Sequence, residues 1–246
     1  SYSVTGVQTC ALPIYDPDAS YSATYHDYLK FDPSTNEQDL RKAIIQCGRI
    51  LYQHGLLVSN DGNISVRMAD GNVIITPSGV CKGRISEQDL MVIDLEGNVI
   101  QPAADSGLKP TSEQPMHLEV YRQRPDVRAV IHTHLAFANA LVISKGEIRM
   151  DVIPEAAMIF GEVPITDFAL PSSPENADAI RGLIKDHDVI FIRNHGSLVV
   201  GKDLNDALIH TERLEHICKT LVYAEILGGV NVLPEEILSK LRKEKI

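Results

Sequence analysis

The stretch "VRAVIHTHLAFANALVIS", residues 127–144, decides how the chain folds. Its first half, Val127 to His134, is a β-branched apolar run that reads as a strand. Its second half, Leu135 to Ser144, reads as a helix. A strand led by Ala-Val-Ile belongs in the middle of a sheet. Side chains at i and i+2 of a strand point to one face, so His132 and His134 stand side by side. Two such imidazoles can clamp one ion at Zn–N distances of about 2.0–2.1 Å, or they can be ordinary half-exposed strand residues. Imidazoles buried in a central strand need partners, which favours the clamp.

The segments on either side follow the same logic. "TNEQDLRKAIIQCGRILYQHGL" (35–56) opens with a capping box, Thr35 and Gln38. It then carries Leu40, Ile44, Ile45 and Leu51 at helical spacing and stops at Gly55. "SNDGNISVRM" (59–68), "NVIITPSG" (72–79) and "MVIDLEGNVI" (91–100) read as turns and strands paired as hairpins. "SEQPMHLEVYRQRP" (112–125) reads as a helix with Ser112 as its N-cap. "VIPEAAMIFGEVPIT" (152–166) reads as loop, short helix and strand, and "PENADAIRGLIKDH" (174–187) as a helix. "DVIFIRNHGSLVVG" (188–201) gives two strands around an Asn-His-Gly turn. A long amphipathic helix follows from its cap Asp203 to a glycine stop. Strands joined by short turns, with helices between, predict an α/β domain whose sheet is covered on both faces. We expect an N-terminal extension (1–36), one domain (37–230) and a C-terminal tail (231–246). The opening "SVTGVQTCALPI" resembles translated sequencing-adapter strings, so about the first 15 residues are left out of the fold.

A clamp of two histidines needs a third donor. His195 sits in the turn of "FIRNHGSLVV", where a side chain can reach over a sheet and Gly196 lets the backbone bend. His210 and His216 face different ways on a helix, and His187 follows one in a polar loop. Glu113, at a helix start, is either a carboxylate favouring the helix dipole or one able to ligate metal and act as a general base. His117 lies one turn on and reads as packing against the site rather than as a ligand. The turns at 61–65 and 76–79 offer Asn63, Ser78 and backbone N–H groups, and Thr111 and Ser112 stand at a helix start. Together they could cradle a phosphate, though each is also an everyday turn.

Composition narrows the function classes. The formal charge is −10, which opposes non-specific nucleic-acid binding by clustered Lys and Arg. No run of 18 apolar residues exists, so no membrane span is expected. The four cysteines, Cys10, Cys47, Cys81 and Cys218, are scattered and form no C-x-x-C. They read as free thiols in a reducing compartment, the cytoplasm. Neither a G-x-G-x-x-G after a strand nor a Walker motif supports nucleotide binding.

Taken in order, "GNIS" (62–65), "ITPSG" (75–79), "KPTSEQPMHLEVYRQRPDVRAVIHTH" (109–134) and "RNHGSLVVGKDLNDA" (193–207) resemble the class II aldolase/adducin family. The likeness covers about residues 37–230. It implies a three-layer α/β/α sandwich around a mixed, mostly antiparallel sheet, and a homotetramer with active sites between subunits. It places His132, His134 and His195 at the zinc positions. Glu113 falls at the catalytic acid/base, which can also ligate zinc, and Asn63, Ser78, Gly79, Thr111 and Ser112 at the substrate phosphate. The implied chemistry is cleavage of a phosphorylated ketose through an enediolate, with 4-epimerase, dehydratase and decarboxylase reactions as family alternatives. A non-catalytic, adducin-like binding module should lack these ligands. One departure is visible: "VIPEAAMIFG" (152–161) has no tyrosine where the family's aldolases carry a proton donor for a neighbouring subunit, and neither has the tail after Gly229.

Overall fold

The computed structural model describes residues 29–105, 107–144, 148–241 and 243, so the adapter-like opening lies outside the described residues. Seven strands form one sheet: β1 (Asn63–Arg67), β2 (Val73–Ile75), β3 (Met91–Ile93), β4 (Val99–Gln101), β5 (Ala129–Thr133), β6 (Val189–Ile192) and β7 (Gly196–Gly201). Their order is β4-β3-β2-β1-β5-β7-β6. The Ala-Val-Ile strand is therefore interior, flanked by β1 and β7.

Strand alternation builds two cores. Ile64, Ile74, Ile131, Phe191 and Val199 point to one face and pack on α1 (Glu37–Gln53), α3 (Ala136–Ile143) and α6 (Leu204–Ile226). Val73, Ile75, Val130, Ile190, Leu198 and Val200 point to the other and pack on α2 (Gln114–Gln123) and α5 (Pro174–Arg181). The result is three layers. Two shorter helices, α4 (Pro154–Ile159) and α7 (Glu235–Leu241), pack together.

Every ladder between named strands is antiparallel, in keeping with the mostly antiparallel sheet expected. Two local expectations are corrected. The expected strand in "EVPIT" reduces to an isolated parallel bridge between Ile165 and Phe191, because Pro164 has no N–H to give a ladder. The cap of α1 is Asn36, whose side chain accepts the Asp39 N–H at 3.0 Å, while Thr35 Oγ1 turns back to the Asp32 N–H. Asp203 caps α6 as expected, accepting from Asp206 N at 2.8 Å. No helix among the described residues is long and apolar enough to cross a membrane.

Candidate metal centre and substrate cleft

β5 pairs with β7 in a register that sets His132 opposite Leu198. The three-residue turn from β6 to β7 then carries His195 to the same end of the sheet. Asn194 makes that turn by taking φ 56°, a left-handed conformation that Asn tolerates better than most residues. Gly196 has a different task from the bend expected of it. A Cβ there would lie 2.6 Å from Thr133 O, 2.9 Å from His132 Cε1 and 2.9 Å from His134 Cδ2. The missing side chain lets the histidine rings sit against the β7 backbone. Gly196→Ala should therefore cost about 1–3 kcal/mol of stability and loosen the ring cluster. A urea titration with a parallel metal-affinity measurement checks this; an unchanged metal affinity would contradict it.

The rings of His132, His134 and His195 form a near-equilateral triangle with centroids 4.8–5.0 Å apart. His132 Nδ1 lies 2.9 Å from Ser197 O, so that nitrogen carries the proton and Nε2 presents a lone pair. His132 Nε2 and His134 Nε2 face each other at 3.2 Å. Burial, reinforced by the neighbouring His195 and His134, holds the His132 pKa well below the ordinary histidine range. His195 is lowered too, again by burial first, with Glu113 pulling the other way. Neutral imidazoles with converging lone pairs repel one another unless a cation lies between them. A tetrahedral ion at about 2.05 Å from each donor sets its nitrogens about 3.3 Å apart. The His132–His134 pair has that spacing, and with a His195 nitrogen all three donors lie within 4.8 Å of one another, a set that could hold a divalent metal such as zinc.

Glu113 completes the cluster. It sits at the N-cap position of α2, where Ser112 was expected. Thr111 Oγ1 takes the Glu113 N–H at 3.3 Å, which frees the Ser112 hydroxyl to accept from Ser172 Oγ at 2.7 Å. The Glu113 side chain turns away from the helix axis. Its Oε1 accepts the Ser172 N–H at 2.9 Å, and its Oε2 lies 3.4 Å from His132 Nε2 and 3.8 Å from His195 Nε2. One oxygen is pinned and the other faces the imidazoles.

The anion turns are brought together by backbone bonds. Thr111 N donates to Thr76 O and Ser78 N to Lys109 O, which zips residues 76–78 to 109–111. Asn63, Ser78, Gly79, Thr111, Ser112 and Glu113 then line one cleft of about 190 Å³ with the three histidines. Gly79 stands at φ 74°. His117 stays out of the metal cluster and does something else. Its Nδ1 accepts from Ser65 Oγ at 2.7 Å, and Ser65 in turn takes the Tyr121 hydroxyl at 2.8 Å. Its Nε2 then donates to Asn63 Oδ1. This buried relay fixes the Asn63 amide with its oxygen inward and its N–H groups outward.

Full burial pulls the His117 pKa down to about 3. Between pH 6.5 and 3 the unfolded chain binds a proton that the folded chain refuses. Stability is therefore intact above 6.5 and falls as the pH drops through that window, by up to about 1.4 kcal/mol per pH unit for this group alone. His117→Gln should flatten the decline measured by urea midpoints at pH 7, 6 and 5; an equally steep decline would refute it.

Three lining or supporting residues escape sequence reasoning: Ser172, Asn176 and Lys82. Ser172 and Asn176 lie 59 and 63 positions from the carboxylate they face, so no local pattern marks them. Lys82 stands three positions past Gly79, in the next turn, and that proximity was the available signal.

The likeness to known proteins agrees with this geometry. The Class II Aldolase and Adducin N-terminal domain family matches residues 42–222. The L-fuculose phosphate aldolase of Methanococcus maripaludis is 36% identical over 182 residues, 74% of this chain and 94% of that protein. A 3-oxo-tetronate 4-phosphate decarboxylase of Haemophilus influenzae is 32% identical over 183 residues, 73% of this chain and 85% of that one. The crystal structure of YgbL from Klebsiella pneumoniae, described as a putative aldolase/epimerase/decarboxylase, superposes with a TM-score of 0.78 at 29% identity, covering 85% of this chain and all of that one. Motif order, three-layer fold and three-histidine cluster converge on one conclusion: the chain belongs to the class II aldolase and adducin family, among its metal-dependent aldolase-type enzymes.

Proposed function

We propose that this protein is a zinc-dependent aldolase that cleaves a phosphorylated ketose, of the L-fuculose 1-phosphate type, to dihydroxyacetone phosphate and a small aldehyde. The observation that carries the reading is the convergence of His132, His134, His195 and Glu113 in one cleft with the 61–65 and 76–79 turns and the helix start at Thr111 and Ser112. His132, His134 and His195 would hold a divalent cation, which would supply electrostatic stabilisation of developing negative charge. The side chains do the rest. Asn63, Ser78, Gly79, Thr111 and Ser112 hold the phosphate, which places the adjoining carbonyl beside the histidines. Glu113 carries the proton to and from the carbon next to the carbonyl. Its pinned Oε1 leaves Oε2 free for that transfer. The active unit is proposed to be a homotetramer.

A second reading has its own support. Loss of carbon dioxide from a 3-oxo-tetronate 4-phosphate breaks the bond one carbon from the ketone and leaves the same enediolate. Protonation at that carbon again yields dihydroxyacetone phosphate. Aldol cleavage must also remove a proton from the hydroxyl that becomes the aldehyde, whereas decarboxylation removes none. The α4 region, which lacks a tyrosine for that second proton, suits the decarboxylase, as does the 32% identical relative. The products decide. Zinc-loaded protein is given L-fuculose 1-phosphate and, separately, 3-oxo-tetronate 4-phosphate, with aldehyde and carbon dioxide measured. Aldehyde release at a kcat/KM above that for carbon dioxide upholds the aldolase; the reverse order replaces it with the decarboxylase.

A further inference from the structure

Lys82 is buried, 3% exposed, and lines the cleft with the histidines. Its ammonium donates one hydrogen bond, to Asn60 O at 2.5 Å, and makes no ion pair within 4.0 Å among the described residues. Asp61 is close enough to favour the charge, but its carboxylate turns to His134 Nδ1 at 3.6 Å and is half exposed. Burial brings the Lys82 pKa down to about 8, so it is a cation at neutral pH. A desolvated ammonium with two N–H groups left over is costly unless an anion joins it. Its place is also rigid. A Cβ on Gly48 of α1 would lie 2.4 Å from Lys82 O, and a Cβ on Gly83 would lie 2.4 Å from Tyr52 Cβ. Two glycines thus let α1 press directly on the Lys82 backbone.

The ammonium is tied to Asn60 beside the 61–65 turn, and its backbone stands in the turn closed by the Arg84 N–H to Cys81 O, three positions past Gly79, so that Asn60, Gly79 and Lys82 line the same cleft. From this placement the geometry points to Lys82 as the counter-ion of the substrate's phosphate, setting the preference for phosphorylated over neutral substrates. The inference rests on the proposed reading of the cleft as a sugar-phosphate site. The neutral turns supply shape and hydrogen bonds, and Lys82 supplies the only full positive charge among the described residues that line the cleft.

Binding, rather than turnover, tests it. Glycerol 3-phosphate and glycerate, which differ in carrying a phosphate or a carboxylate, are titrated calorimetrically into metal-loaded wild-type, Lys82→Met and Lys82→Arg proteins. Methionine keeps the buried stem and removes the charge; arginine keeps the charge. Glycerol 3-phosphate affinity is expected to fall about tenfold or more in Lys82→Met and to stay within about threefold in Lys82→Arg. Metal content and thermal midpoint should hold in both. Equal glycerol 3-phosphate affinity in Lys82→Met and wild type would overturn the inference. So would a loss confined to glycerate, which would assign Lys82 to a carboxylate. If Lys82→Met fails to fold, Lys82→Gln takes its place with the same two outcomes. Because no turnover is needed, the inference can survive a protein that cleaves no ketose phosphate, and can fail in one that does.

Discussion

Replacing His132 by alanine is expected to empty the metal centre: about one divalent ion per chain in the wild type should fall to less than about a tenth. Cleavage should fall by about a thousandfold or more, since charge stabilisation by a bound cation is worth several kcal/mol and about 1.4 kcal/mol is a factor of ten. His132 is the sharpest of the three probes because its tautomer is set by Ser197 O, so its Nε2 is a donor before any ion arrives. His216→Ala, on the exposed side of α6, is the matched control. Elemental analysis of both variants, with a cleavage assay before and after chelation, reads the result. Metal retained in His132→Ala at wild-type stoichiometry would remove the three-imidazole site from consideration.

The second large effect is expected from Glu113→Gln. Glutamine keeps the size and can still accept the Ser172 N–H through its oxygen. It cannot carry a proton between carbon and solvent. Turnover should drop about 10²- to 10⁴-fold, the range set by loss of a general acid/base, with metal retained by the three imidazoles. A separate readout avoids confusion with a folding defect. In deuterated water the wild type should exchange the C3 hydrogen of dihydroxyacetone phosphate, as followed by NMR, and Glu113→Gln should not. Exchange at the wild-type rate in the variant would assign the proton to another group.

The parts of this architecture that were legible in the sequence are those with local causes. The interior strand showed as an apolar run, and the β6–β7 hairpin showed as two such runs about Asn-His-Gly. The three-histidine cluster was readable because strand alternation puts His132 and His134 on one face, and a strand-end turn is where a third imidazole can join. The corrected details share another cause. Asn36 and Thr35 are both good caps, and a turn in which Thr35 Oγ1 accepts the Asp32 N–H left the cap to Asn36. Ser112 lost the cap of α2 because Thr111 Oγ1 accepts the Glu113 N–H and the Ser112 hydroxyl accepts instead from Ser172 Oγ. Ser172 and Asn176 became visible only when distant segments met, since their meaning lies in what they face.

The strand order has one more consequence, and it concerns time. His132 meets the Ser197 carbonyl across 65 positions of chain, and His117 meets Asn63 across 54. Such distant pairings close late, because the entropy of loop closure must be met before they return anything. The three imidazoles are therefore gathered only when β5 has paired with β7. A cation finds no complete set of donors in the partly folded chain. It leaves the speed of folding alone and acts on the way out, slowing unfolding of the finished sheet.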